Sequence, residues 1–294
     1  MTSASGFRRL AALNAALLWL IIPSGGIVRL TGSGLGCTDW PLCDNGAIIP
    51  ARGAHSWIEY TNRMVSAVIM VVVIVAAIAA FRAVGGTRAM RIAATIAAVA
   101  TVGQVPLGGV TVIFNLHPLL VASHFVLSLV ALSAGVIAFL GADDVVKGIA
   151  RRSSGRWALL AVILAAALST AVITGVLTTA AGPHSGDAAV IRRFGVLDHA
   201  AYVHVRAVIA LLVIGIIAGW AIRRRRGDRD LVRPALIFIP LFVAQVVIGE
   251  VQWRTELPWQ VIVLHVTVAG LLWAVGTATV WRLARPISIS PPPS

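Results

Sequence analysis

The chain has 294 residues, of which 59% are hydrophobic and only 12% charged, and its mean hydropathy is +0.92. A soluble domain carries about 25% charged residues, so this composition excludes a disordered chain and an ordinary soluble enzyme, and two cysteines are too few for a disulfide-built scaffold. A net charge of +13 would point to nucleic acid in a soluble protein. Here the basic residues lie between apolar runs, where they report membrane topology instead, and no nucleic-acid partner is expected.

Runs of about 20 apolar residues, enough to cross a bilayer, predict eight spans at 10–29, 64–82, 92–113, 118–140, 157–179, 202–222, 233–252 and 260–281. The first follows Arg8 and Arg9. It continues through Ile27 and Val28, past Pro23-Ser24-Gly25-Gly26, and so reads as a span rather than a cleaved signal peptide. With the N-terminus inside, seventeen basic residues fall on the inner side and seven on the outer, which predicts both termini in the cytoplasm. Two long loops, about 30–63 and 180–201, then face outward. The first holds Cys37 and Cys43 on the oxidising side, with the turn-former Pro41 between them. Those residues alone leave open a persistent disulfide or a reactive dithiol. The tail 286–294 ends Pro-Pro-Pro-Ser and is expected to be unstructured.

All seven histidines, His55, His117, His124, His184, His199, His204 and His265, fall in outer loops or in the outer parts of spans. His124, His204 and His265 lie within apolar segments, where ionisable groups are costly and mark function.

The two halves of the chain repeat. Gly103-Gln104-Val105-Pro106-Leu107-Gly108-Gly109-Val110 resembles Ala244-Gln245-Val246-Val247-Ile248-Gly249-Glu250-Val251, and from each glutamine it is 20 residues to His124 or to His265. Upstream, Glu59-Tyr60-Thr61-Asn62 lies over Ala201-Tyr202-Val203-His204, and Gly26-Ile27-Val28 parallels Gly175-Val176-Leu177. The expectation is an all-α integral membrane protein of eight transmembrane helices, arranged as two pseudo-symmetric four-helix bundles, 1–145 and 146–285, repeated in parallel. His204 and His265 then face each other inside the second bundle, which suits a six-coordinate heme. Zinc, the other metal, would need further ligands at that level. The corresponding pair in the first bundle is Asn62 and His124. Asparagine is a poor iron ligand, so a heme there would be held from one side, by His124, with an open or weakly occupied position. Glu59, one helical turn before Asn62, is a carboxylate placed to hold or move a proton. Arg29 and Arg63 are basic groups at the outer interface, able to pair with propionates. His55, His117, His184 and His199 receive no assignment.

Gly25-Gly26-Ile27-Val28-Arg29-Leu30-Thr31-Gly32-Ser33-Gly34-Leu35, then Cys37-Thr38-Asp39-Trp40-Pro41-Leu42-Cys43, then Glu59-Tyr60-Thr61-Asn62-Arg63, resembles the heme A synthase family, and the resemblance extends over essentially the whole chain. It implies oxidation of the C8 methyl of heme O to a formyl group, giving heme A. It implies a heme b cofactor in the second half between the positions of His204 and His265, a substrate side in the first half at His124, and a catalytic glutamate at Glu59. It also implies the loop-cysteine pair of the bacterial two-cysteine type at Cys37 and Cys43, and a multi-pass location in a bacterial cell membrane with the heme sites near the outer face. The implied partners are heme O, membrane lipid, heme O synthase, and a quinone or other electron acceptor. Many family members carry histidine where this chain has Asn62. The rival reading is a non-catalytic diheme b-type electron carrier in the membrane. It predicts saturated ligation in both halves, against which Asn62 argues.

Overall fold

A computed structural model describes residues 2–37, 39–43, 46–50, 53–151, 155–183, 195–224 and 228–286. The predicted residues His184, Arg52, Arg152, Arg192, Arg193, Arg225 and Arg226, and the tail from 287 onward, lie outside them. Among the described residues the only regular elements are eight α-helices: α1 (Ala4–Leu30), α2 (Ala54–Arg82), α3 (Arg88–Ile113), α4 (Pro118–Lys147), α5 (Gly155–Ala181), α6 (Leu197–Arg223), α7 (Arg229–Arg254) and α8 (Trp259–Ala284). Each is long and apolar enough to cross a membrane, so the chain is an all-α integral membrane protein. A helix satisfies its own backbone polar groups, as a hydrocarbon solvent demands.

The helices run beyond the apolar runs that predict them. α2 begins at Ala54 rather than near 64, so Glu59, Asn62 and Arg63 stand on its first turns instead of in the loop. Hydropathy misses this stretch because its polar side chains are satisfied by the loop folded against it. Other ends are set by capping: Ser3, Thr87 and Asp228 accept from the backbone N–H groups of Gly6, Met90 and Leu231 at the starts of α1, α3 and α7, relieving donors that a helix N-terminus leaves orphaned.

α3 packs along α4, α4 along α1, and α1 along α2, while α2 also meets α3, so these four close into a ring. In the second half α5 packs on α6 and α8, and α7 on α8, but α6 scarcely touches α7. α8 also packs on α1 and α4, and this seam carries polar bonds inside the apolar core. Trp273 Nε1 donates to Ser133 Oγ at 2.7 Å and to the Leu129 carbonyl at 3.1 Å, and Trp19 Nε1 donates to the Thr267 carbonyl at 3.2 Å. Small residues let α3 and α4 approach closely: Ala93, Ala94, Ala97 and Ala100 are buried with Ala131, Ala134, Ala138 and Ala142, the association mode available where burial from water supplies no drive.

Candidate heme sites at one end of the bundle

His124, His204 and His265 all lie in the early turns of the even-numbered helices, at the end of the molecule that carries the 31–53 loop. α6 and α8, which carry His204 and His265, share no extended contact. His204 Nδ1 is 3.2 Å from Thr174 Oγ. The Thr174 hydroxyl donates to the Thr170 and Ala171 carbonyls, so the imidazole N–H is the donor to Thr174. A proton held on Nδ1 leaves Nε2 with a bare lone pair, the form that ligates a metal. His265 Nδ1 is buried with no hydrogen-bond partner, a costly state unless the ring has another role.

The helices opposite make room for these rings. A Cβ added at Gly175 of α5 would sit 3.0 Å from His204 Cε1, and one at Gly249 of α7 would sit 3.2 Å from His265 Cε1. Each imidazole therefore lies against bare backbone. Among the described residues no group of three or more His, Cys, Asp or Glu side chains comes together, so this pair lacks the further ligands of a tetrahedral zinc site. Two imidazoles, each against bare backbone, on helices that share no extended contact suit an iron-centred macrocycle better than zinc.

The first half shows the same frame with one change. A Cβ at Gly108 of α3 would lie 3.5 Å from His124 Cε1, and His124 Nδ1 is buried without a partner. Gln104 Nε2 donates to the His124 carbonyl at 3.1 Å and to Ser128 Oγ at 2.7 Å, which gives the 20-residue spacing a physical content. Where the second half has His204, Asn62 Oδ1 accepts from Ser24 Oγ at 2.8 Å. The carboxamide is thus held by α1.

Glu59 is buried, 5% exposed. Its Oε2 accepts from the Cys37 backbone N–H at 2.9 Å, and its Oε1 from Arg63 at 2.5 Å. Arg63 also donates to the carbonyls of Asp39, Pro41 and Leu42. Cys37 and Cys43 are joined by a disulfide, so the bridged loop is stapled onto the first turns of α2. Its Trp40 ring lies about 3 Å from where a Cβ at Gly109 would be, next to the glycine that faces His124. Glu59 therefore sits under the loop with both oxygens partnered, and Arg63 is spent on Glu59 and the loop. Arg29 differs. It donates to the Thr179 carbonyl at 3.2 Å, and its Nε is buried without a partner. Its guanidinium, reaching from α1 to the end of α5, keeps a spare donor.

Three other described histidines lie away from these rings. His55 Nδ1 pairs with Ser33 Oγ at 2.9 Å, His117 caps α4, and His199 is exposed in the first turn of α6. Thr174 has no signal in the sequence pattern, and the pattern does not show that the repeat's glycines face the rings or that the Oε1 atoms of Gln104, Gln245 and Gln252 are buried without partners. The repeat contains all three of those glycines: Gly108 and Gly249 each stand four residues after the aligned glutamine, and Gly175 opens the stretch aligned with Gly26-Ile27-Val28.

The chain is similar to proteins named heme A synthase. It is 36% identical to that of Bacillus licheniformis over 120 residues, 40% of this chain and 39% of the relative. It is 32% identical to that of Geobacillus kaustophilus over 126 residues, 42% and 39%, and 28% identical to that of Bacillus pumilus over 129 residues, 43% and 42%. These matches span about two fifths of the relatives' length. A family model described as Cytochrome oxidase assembly protein, COX15-CtaA, matches residues 8–56 and 51–277. Nearly the whole helical body is covered, and the chain belongs to the COX15-CtaA family of cytochrome oxidase assembly proteins.

Proposed function

We propose that the chain is a heme A synthase, an oxidoreductase that converts the C8 methyl of heme O to a formyl group. The observation that carries this reading is the unequal pair of sites. His204 and His265, each lying against a glycine, offer two imidazoles, whereas the repeat pairs His124 with Asn62, whose carboxamide is bonded to Ser24. A saturated bis-imidazole iron suits electron transfer, and an iron held from one side suits chemistry. We assign heme b to His204 and His265, and heme O, the substrate, to His124. The bound heme b supplies one-electron redox chemistry.

The chain's own residues do the rest. Thr174 holds the proton of His204 on Nδ1, which leaves the Nε2 lone pair free to ligate. Arg29, with its unpartnered buried Nε, is the arginine left for a propionate. Glu59 holds a carboxylate beside the first-half site, and the disulfide loop covers it from water. Heme O arrives from heme O synthase through the lipid, and a quinone or another acceptor takes the electrons. The two four-helix units, 1–145 and 146–285, are duplicates in the same orientation, with both termini cytoplasmic and the heme sites at the outer face of a bacterial membrane.

The test is heme extraction and chromatography from membranes that hold this chain together with a heme O source. Heme A is expected, and it should be lost in His204→Ala, His265→Ala and Glu59→Ala variants that still accumulate in the membrane. Heme O left unconverted by the unaltered chain, with an acceptor supplied, would overturn the assignment.

A further inference from the structure

The end of the molecule opposite the histidines holds its charges in two different settings. Asp143, Asp144, Asp228 and Asp230 are all taken up by Arg8, Lys147, Arg151 and Arg282. The α2–α3 corner, at the same end, carries Arg82, Arg88 and Arg91, and no ion pair among the described residues reaches any of them. Arg88 and Arg91 stand in the first turn of α3, which has no acidic residue. A helix N-terminus is itself electropositive, so like charge sits on like. Arg91 Nε is buried with no hydrogen-bond partner.

Beside these arginines lies a groove of about 360 Å³ lined by Phe81, Arg88, Arg91, Ile92, Thr95 and Ile96. Phe81, Ile92 and Ile96 are exposed. The cationic groups lie at the helix end and the apolar ones continue along α3 into the span. That order suits an amphiphile with an anionic head and a hydrocarbon tail, and a chain crossing a bilayer is surrounded by such molecules. We infer that the α2–α3 corner binds an anionic phospholipid, its phosphodiester held by Arg88, Arg91 and the start of α3, and an acyl chain lying along Phe81, Ile92 and Ile96. Free phosphate would answer the arginines and leave the groove bare. A zwitterionic lipid would bring its own cation against them.

The experiment uses the full-length chain in nanodiscs of phosphatidylcholine with a minority of phosphatidylglycerol. Lipid that stays with the protein through detergent extraction is counted by native mass spectrometry. Phosphatidylglycerol is expected to be retained in preference to phosphatidylcholine. Each basic residue near a membrane surface contributes about five-fold in affinity for acidic lipid. Retention should therefore fall by roughly ten-fold or more in Arg88→Gln/Arg91→Gln, and stay unchanged in Arg156→Gln, which removes an exposed charge elsewhere. Ile96→Asn should lower lipid retention with both arginines intact, which separates a groove from a charge patch. Equal retention of the two lipids would overturn the proposal. So would equal loss in Arg156→Gln, or displacement of the lipid by inorganic phosphate at matched ionic strength.

Discussion

At the scale of single residues, the proposed heme sites rest as much on missing atoms as on the histidines assigned to them. Replacing a helix-interior glycine by alanine ordinarily stabilises a helix by about 0.5–1 kcal/mol. Gly25 of α1 has nothing within 4 Å of an added Cβ, so Gly25→Ala should show that small gain. At Gly175 and Gly249 the same methyl group would meet imidazole carbons at 3.0 and 3.2 Å, tighter than ordinary van der Waals contact, and the ring would have to move. Gly175→Ala and Gly249→Ala are expected to fold, but to lose the low-spin bis-imidazole absorption and most of the bound heme. Spectra and heme-to-protein ratios of the purified variants check this. Comparable loss in Gly25→Ala would show that helix flexibility matters rather than room for the ring.

At the scale of the elements, the end away from the histidines is fastened by ion pairs that no local pattern announces. Arg282, in the last turn of α8 and 1% exposed, pairs with Asp143 and Asp144 at the end of α4. Arg151 reaches Asp144, Asp228 and Asp230, joining the α4–α5 connection to the start of α7. Burial acts to lower the Arg151 pKa, but hydrogen bonds and charge from Asp228 and Asp144 outweigh it and leave the pKa raised, so the guanidinium stays charged at any working pH. Asp228 also caps α7. Breaking a buried pair by deleting one partner costs about 3–5 kcal/mol, because the other charge stays behind. Arg282→Met should approach that loss, moderated because Asp144 keeps Arg151. Arg282→Lys should recover part of it, since lysine keeps the charge but not the two-pronged geometry. Thermal unfolding in detergent distinguishes these outcomes, and a shift within error for Arg282→Met would mean that the seam of α1, α4 and α8 holds alone.

At the scale of the whole molecule, what the sequence made legible follows from the range of the interaction that specifies it. The eight spans were readable because hydropathy is a local sum. The matched spacings were readable because they are local, and the aligned glutamines do precede histidines whose rings lie against glycines. The helical start of α2 was not readable, since Glu59 and Arg63 are satisfied by a loop about 20 residues upstream. Nor were the partners of Arg282, of which Asp144 lies 138 residues away. Arg63 was legible as a basic group but not as one that another carboxylate claims. The same logic yields a test of the duplication. If Asn62 and His204 are equivalent positions in copies of one unit, the first half should accept a second imidazole once its local bond is removed. Ser24 Oγ, 2.8 Å from Asn62 Oδ1, is the group in the way. Asn62→His combined with Ser24→Gly should add a second bis-imidazole site, about doubling the low-spin heme signal of the fully loaded protein. An unchanged spectrum from a folded, heme-loaded double variant would place the Asn62 and His204 side chains at inequivalent depths or angles, and the two halves would then be alike in sequence spacing but not in the geometry of their sites.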